Sequence, residues 1–146
     1  MRVRIADESC VGRLIALDPI ARGDLRRQRL LRARVQLGEC WIVEDSPDTL
    51  GYAVRGEFFG FDFLELLFVT ERVRRQGAGC ALVKAVEEAR RTDRLFTSTN
   101  LSNAPMRALL SKCGYAASGV IYNLDRGDPE VVYVKRFDGE APELPT

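Results

Sequence analysis

The chain has 146 residues, 46% of them hydrophobic, which suits one folded domain with one core and a globular rather than a disordered protein. Its 22 basic and 21 acidic residues leave a formal net charge of +1, which argues against nucleic acid or an anionic membrane as the main partner. There is no histidine, and Cys10, Cys40, Cys80 and Cys113 stand far apart, so no metal site is expected and a reduced, cytoplasmic protein is.

The opening MRVRIADESC lacks the apolar stretch of a secretory leader, and no apolar run approaches the length of a membrane span. Residues 2–6 alternate charged and apolar side chains and predict a first strand. Asp7 or Ser9 can cap a helix running to about Asp18, where Asp18-Pro19 breaks it. Asp24 caps a second helix through about Leu37, closed by Gly38. Its Arg26, Arg27, Arg29, Arg32 and Arg34 lie on several sides, as on a solvated helix; a rim that attracts an anionic acceptor is the other reading.

Residues 40–44 and 50–59 read as strands joined at Ser46-Pro47-Asp48, and Gly60 turns the chain into a long apolar strand over residues 61–69. Leu82, Ala85, Val86 and Ala89 recur at helical spacing, with Lys84, Glu87 and Glu88 between them. Residues 95–99 form a short strand. Ser102 or Asn103 caps a helix whose buried stripe is Met106, Leu109, Leu110 and Cys113, and Gly114 stops it. Strands over residues 115–123 and 130–137 flank a turn at Asp125-Arg126-Gly127-Asp128-Pro129, and residues 139–146 are an acidic, frayed tail. One domain over residues 1–138 is expected.

The most informative stretch is the junction at Arg74-Arg75-Gln76-Gly77-Ala78-Gly79, between the apolar strand and the next helix. First-turn N–H groups of a helix lack intrahelical partners, and the helix dipole adds partial positive charge. Gly77 and Gly79 remove side chains that would keep an anion away, and Arg74 and Arg75 add forked donors. The Gly-Lys-Ser/Thr ending of a nucleotide P-loop is absent, and so is the three-glycine dinucleotide fingerprint.

Arg74, Gly77 and Gly79 after a strand ending in Val69 resemble the Arg/Gln-x-x-Gly-x-Gly/Ala motif of the GNAT acyltransferases. The element order β-α-α-β-β-β-α-β-α-β-β resembles theirs over nearly the whole chain. The resemblance implies an α/β (α+β) fold with a mixed, mostly antiparallel sheet of about seven strands and four helices. It implies that Arg74, Arg75, Gln76, Gly77, Ala78, Gly79 and Cys80 grip the pyrophosphate of acetyl-CoA. Backbone groups of Leu67, Phe68 and Val69 would bind the pantetheine arm and polarise the thioester. Asn103 would approach the coenzyme, and Met106 would pack nearby. The family often carries an acidic residue where Glu65 stands, and a carboxylate among Leu64, Leu66, Leu67 and Phe68 is partly desolvated, as suits a base. Seven residues after Asn103, where many members have a tyrosine that protonates the leaving thiolate, this chain has Leu110. Tyr115, Tyr122 or water could replace it.

The expected activity is direct acetyl transfer from acetyl-CoA to a primary amine of a small molecule or protein, without a metal, nucleic acid or membrane; a homodimer is left open. A covalent acyl carrier at Cys80, a coenzyme A sensor without turnover, and nucleic-acid binding through the arginine helix are the rival readings. The aromatics Trp41, Phe58, Phe59, Phe61 and Phe63 suit a core, with Phe58 to Phe61 near the turn also able to line an acceptor pocket.

Overall fold

The structure, a computed structural model, describes residues 1–143. Seven strands form one sheet in the order β1-β2-β3-β4-β5-β7-β6: β1 Arg2–Ile5, β2 Cys40–Asp45, β3 Asp48–Phe58, β4 Phe61–Val69, β5 Arg94–Asn100, β6 Ala116–Ile121 and β7 Glu130–Arg136. The β4–β5 pair is parallel, and the sheet is otherwise mostly antiparallel. Among the described residues five α-helices accompany it: α1 Val11–Leu17, α2 Pro19–Arg22, α3 Leu25–Gln36, α4 Ala78–Glu88 and α5 Ala104–Lys112. The chain divides into two compact units, one of Met1–Gly56 with Leu66–Ala89, the other of Glu57–Glu65 with the residues from Arg90 on. The last three residues of the expected acidic tail lie outside the described residues.

In the first unit, β2 and β3 pair in register from Cys40–Val54 to Val43–Gly51, and the alternation of side chains gives the sheet two apolar faces. Cys40, Ile42, Tyr52 and Val54 form a core with Leu14 of α1, Ala21 of α2, and Leu31 and Val35 of α3, joined by Leu66 and Phe68 from the end of β4. Burial pushes the Cys40 thiol up to about 12. Trp41 and Val43 point the other way, and α4 packs against β1 and β2.

The expected first helix is a 3-10 turn followed by an α-helix, it ends at Asp18 as expected, and a further short helix that was not expected begins at once. Asp7 caps a single 3-10 turn at Glu8–Cys10, α1 follows, and α2 starts at Pro19. The reason is Asp18. Its Oδ1 accepts the Ile20 N–H at 2.9 Å, so the residue that ends α1 also caps α2. Its Oδ2 accepts the Tyr52 hydroxyl at 2.5 Å and pairs with Arg27 at 3.2 Å. Asp18 is fully buried, a position a carboxylate holds only when partnered. Burial first, and the bond to Asp18 second, raise the Tyr52 hydroxyl pKa far above its usual range.

In the second unit, a two-residue turn joins β3 to β4. Phe59 (φ 51°) and Gly60 (φ 80°) are both left-handed, as a type I′ hairpin requires. β5, β7 and β6 pair antiparallel, with Phe96 opposite Val134 and Asn100 opposite Glu130. The expected buried stripe of α5 reduces to Leu110; Met106, Leu109 and Cys113 are half-buried, because the helix rests on the sheet by one narrow face. Tyr115 precedes the last hairpin rather than opening it, and Asn123 leaves the ladder in a left-handed turn (φ 74°).

Candidate functional site

The glycine junction is a built feature of the first unit. β4 ends at Val69, Thr70 leads into a 3-10 turn at Glu71–Val73, and Arg75 (φ 71°) turns the chain left-handed before Gly77. Gly77 is the N-cap of α4, again left-handed (φ 86°, ψ 1°), and no side chain caps the helix there. A Cβ built on Gly77 would meet nothing within 4 Å, so the space in front of the helix end is open. Residues 74–77 are exposed, whereas Ala78 is buried and anchors the first turn. An uncapped helix end with open space before it is suited to an anion, because its first-turn N–H groups have no intrahelical carbonyl to bond.

The flanking side chains are placed as follows. Arg74 Nε donates to the Val69 carbonyl at 3.4 Å, so this guanidinium bridges the strand end and the loop. Gln76 Nε2 donates to the Arg72 carbonyl at 3.4 Å, and Arg72 pairs with Asp48 at 3.3 Å. The Thr70 hydroxyl is buried and without a partner, at the mouth of the loop; its residue type gave no signal of this in the sequence. Cys80 lies half-buried in the first turn of α4.

The second half of β4 is the outer strand of its unit, since its parallel ladder with β5 covers only Asp62 to Leu64. On the β3 side it fits closely: a Cβ on Gly51 would stand 2.4 Å from the Phe68 carbonyl, and the Thr70 N–H donates to the Leu50 carbonyl at 2.9 Å. Backbone groups alternate along a strand, so Leu67 and Val69 turn theirs away from β3, while Phe68 turns its carbonyl toward it.

In the second unit the ladder ends where Thr97 Oγ1 donates to the Leu64 carbonyl at 2.9 Å. Glu65 follows, half-buried. Asp62, the other acidic residue of this strand, is committed elsewhere: it accepts the N–H groups of Arg91 and Thr92 at 2.9 and 2.7 Å and the Thr92 hydroxyl at 2.6 Å. Asn103 caps α5, its side chain accepting the Met106 N–H at 3.2 Å. Leu110 is fully buried, so that helical position faces the core. Of the two tyrosines that could replace an acid there, Tyr115 is buried and Tyr122 is 69% exposed. The arginines of α3 are divided: Arg27 and Arg34 are bonded inside the unit, and Arg26, Arg29 and Arg32 are exposed. The first unit also carries an open groove of about 540 Å³ with Val3, Ile5 and Trp41 and the charged Arg4, Lys84 and Glu88 in its lining, which the glycine loop does not border. Among the described residues no His/Cys/Asp/Glu cluster could hold a metal, and no helix is long and apolar enough to cross a membrane.

Residues 11–115 match the model of the acetyltransferase (GNAT) family. A GNAT-family acetyltransferase from Bacillus cereus ATCC 10987 is 28% identical, covers 92% of this chain and 96% of its own, and superposes with a TM-score of 0.86. The yncA protein of Salmonella typhimurium, solved with its cofactor acetyl-CoA, is 20% identical over 98% of this chain and 97% of its own, with a TM-score of 0.75. A ribosomal-protein-alanine N-acetyltransferase from Brucella melitensis is 20% identical over 93% and 99%, with a TM-score of 0.73. No curated protein matches the chain.

Proposed function

This chain belongs to the GNAT acetyltransferase family, and on that premise we propose that it transfers an acetyl group directly from acetyl-CoA to a primary amine. The observation that carries the reading is the uncapped, left-handed Gly77 at the start of α4, with open space before it and two arginines beside it. That cradle fits a pyrophosphate: the backbone N–H groups supply donors, Arg74 and Arg75 supply charge, and glycine supplies room. Leu67 and Val69, whose backbone groups turn away from β3, are the residues to bind the pantetheine amides and to donate to the thioester oxygen.

Acetyl-CoA brings an acyl group already activated as a thioester. The protein's task is then positioning and proton transfer. The acceptor nitrogen forms a C–N bond to the acyl carbon, the C–S bond breaks, and the sulfur leaves as a thiolate. The nitrogen must lose a proton, and Glu65 takes it, directly or through water. With Leu110 in the core, the thiolate takes its proton from water; a thiolate is a good enough leaving group for that. Cys80 serves as a small first-turn residue and carries no acyl group.

The test is release of free thiol from acetyl-CoA in the presence of primary amines. Glu65→Gln should lower kcat by about 100-fold or more while leaving the affinity for acetyl-CoA nearly unchanged. A pH–rate profile identical to that of the unaltered protein would remove Glu65 from the mechanism.

A further inference from the structure

We propose that the acceptor is an amine carrying an aryl group, held on the helix-free sheet face of the second unit; this rests on the acetyl-transfer reading above. The face follows from strand register. Phe61 and Phe63 of β4 share one side of the sheet with Phe96 of β5, since Phe63 is the direct partner of Phe96. Phe58 stacks on Phe63 with centroids 5.2 Å apart and lies 5.4 Å from Phe96, and Phe61 lies 6.0 Å from Phe96. The same side continues through half-buried Ser98 to half-buried Glu130 of β7, past Val134 and Val132, which are buried. The unit's helix, α5, occupies the other side: Arg107 reaches the Tyr133 hydroxyl and Lys135 the Cys113 carbonyl. The four phenylalanines on this helix-free side are each half-buried.

The strip has two chemically distinct ends. The aromatic end is a ring-binding surface, with stacked and tilted contacts that a further aromatic ring can extend. At the other end the Glu130 carboxylate accepts the Ser98 hydroxyl at 2.8 Å and is half-buried. Ser98 stands two residues from Phe96, and at roughly 3.3 Å per residue that is about 7 Å along the strand. An amine separated from an aryl ring by two or three bonds spans that distance, with its ammonium at Glu130 and its ring over Phe63 and Phe96. On the far side of the rings Arg94 lies over Phe61 at 4.4 Å and is paired with Asp93, so that end presents little net charge to a carboxylate.

Phe59 is the independent sign that something binds here. It is 86% exposed and packs edge-on against Phe58 at 4.7 Å. It also holds the left-handed conformation at the first position of the hairpin turn, where asparagine or glycine costs least and an aromatic residue is an outlier. Beyond its edge contact with Phe58, a large apolar side chain that is exposed and conformationally costly gives the hairpin turn nothing that asparagine would not. It does supply an exposed aromatic edge beside the cluster against which a bound ring can pack.

The experiment compares 2-phenylethylamine with n-propylamine on the full chain and on Phe59→Asn. Binding is followed by saturation-transfer NMR without acetyl-CoA, and turnover by thiol release with it. The aryl amine should bind, and be acetylated, with at least a tenfold lower Kd and KM than the alkyl amine. Phe59→Asn should unfold at the same or a higher temperature, keep its affinity for acetyl-CoA, and lose at least half of the aryl preference. Turnover of both amines without preference, or a preference untouched by Phe59→Asn, overturns the aryl-amine inference and leaves acetyl transfer standing. Aryl-selective binding without thiol release overturns the acetyl-transfer reading, and with it the role of acceptor, and leaves only an aryl-amine binding face. A dimer in sedimentation velocity that Phe59→Asn dissociates would mean that a second copy covers the face, and would also overturn the inference.

Discussion

The N-termini of α4 and α5 use similar parts to opposite ends. Each helix follows a strand of the sheet through a short connection, and each begins with small residues. At α5 the cap is Asn103, whose side chain accepts the Met106 N–H, with Pro105 in the first turn, where a missing N–H costs nothing. At α4 the cap is Gly77, with no side chain to offer and a left-handed backbone that leaves the helix end facing open space. One terminus is satisfied from within the chain. The other has no side-chain cap, as the proposed coenzyme site requires. The difference teaches that a helix end becomes an anion site through what is left out of its cap as much as through its dipole.

Three substitutions test that contrast, beginning with the largest effect. Gly77→Asp places a carboxylate in the open space before α4, and aspartate tolerates the left-handed backbone better than most residues. Affinity for acetyl-CoA should fall on the order of 100-fold, about 3 kcal/mol, in a protein that still unfolds cooperatively. Thermal stabilisation by acetyl-CoA equal to that of the parent would break the assignment. At α5, Asn103→Ala should cost stability instead, about 1 kcal/mol, the usual value of a lost side-chain cap. Affinity for acetyl-CoA should stay within about twofold. A tenfold loss of affinity at unchanged melting temperature would instead move Asn103 to the coenzyme. The smallest effect belongs to Arg75→Ala. It should weaken acetyl-CoA binding about threefold at low salt and less at high salt, as expected of an exposed charge. A salt-independent loss would mean that Arg75 makes a desolvated contact with the ligand.

Much of the architecture was legible before any coordinates. Period-two and helical spacing placed all seven strands and four of the five helices, and β4 runs over Phe61–Val69 as read from its apolar run. The glycine junction was legible too, because its signal is local: a strand, a loop and a helix start within a dozen residues. What escaped were features made by distant partners. Asp18 reads as a helix breaker, and only Tyr52, thirty-four residues away, shows why a carboxylate sits there buried and why a second helix begins on it. Met106, Leu109 and Cys113 share the spacing of a buried stripe, yet the sheet covers only Leu110 fully. The sequence placed Phe58, Phe59, Phe61 and Phe63 close together but had no means of adding Phe96 or the Ser98–Glu130 pair, which reach the same face through strand register.

The sequence alone determined the order of elements and the glycine junction at the start of α4, since both depend on backbone preferences and spacings within one or two turns of chain. Tertiary structure decided which polar groups remain available at that place and which side chains share a face. Those outcomes depend on pairing between residues about thirty positions apart, and strand register, which a shift of one residue inverts, is written in no single segment.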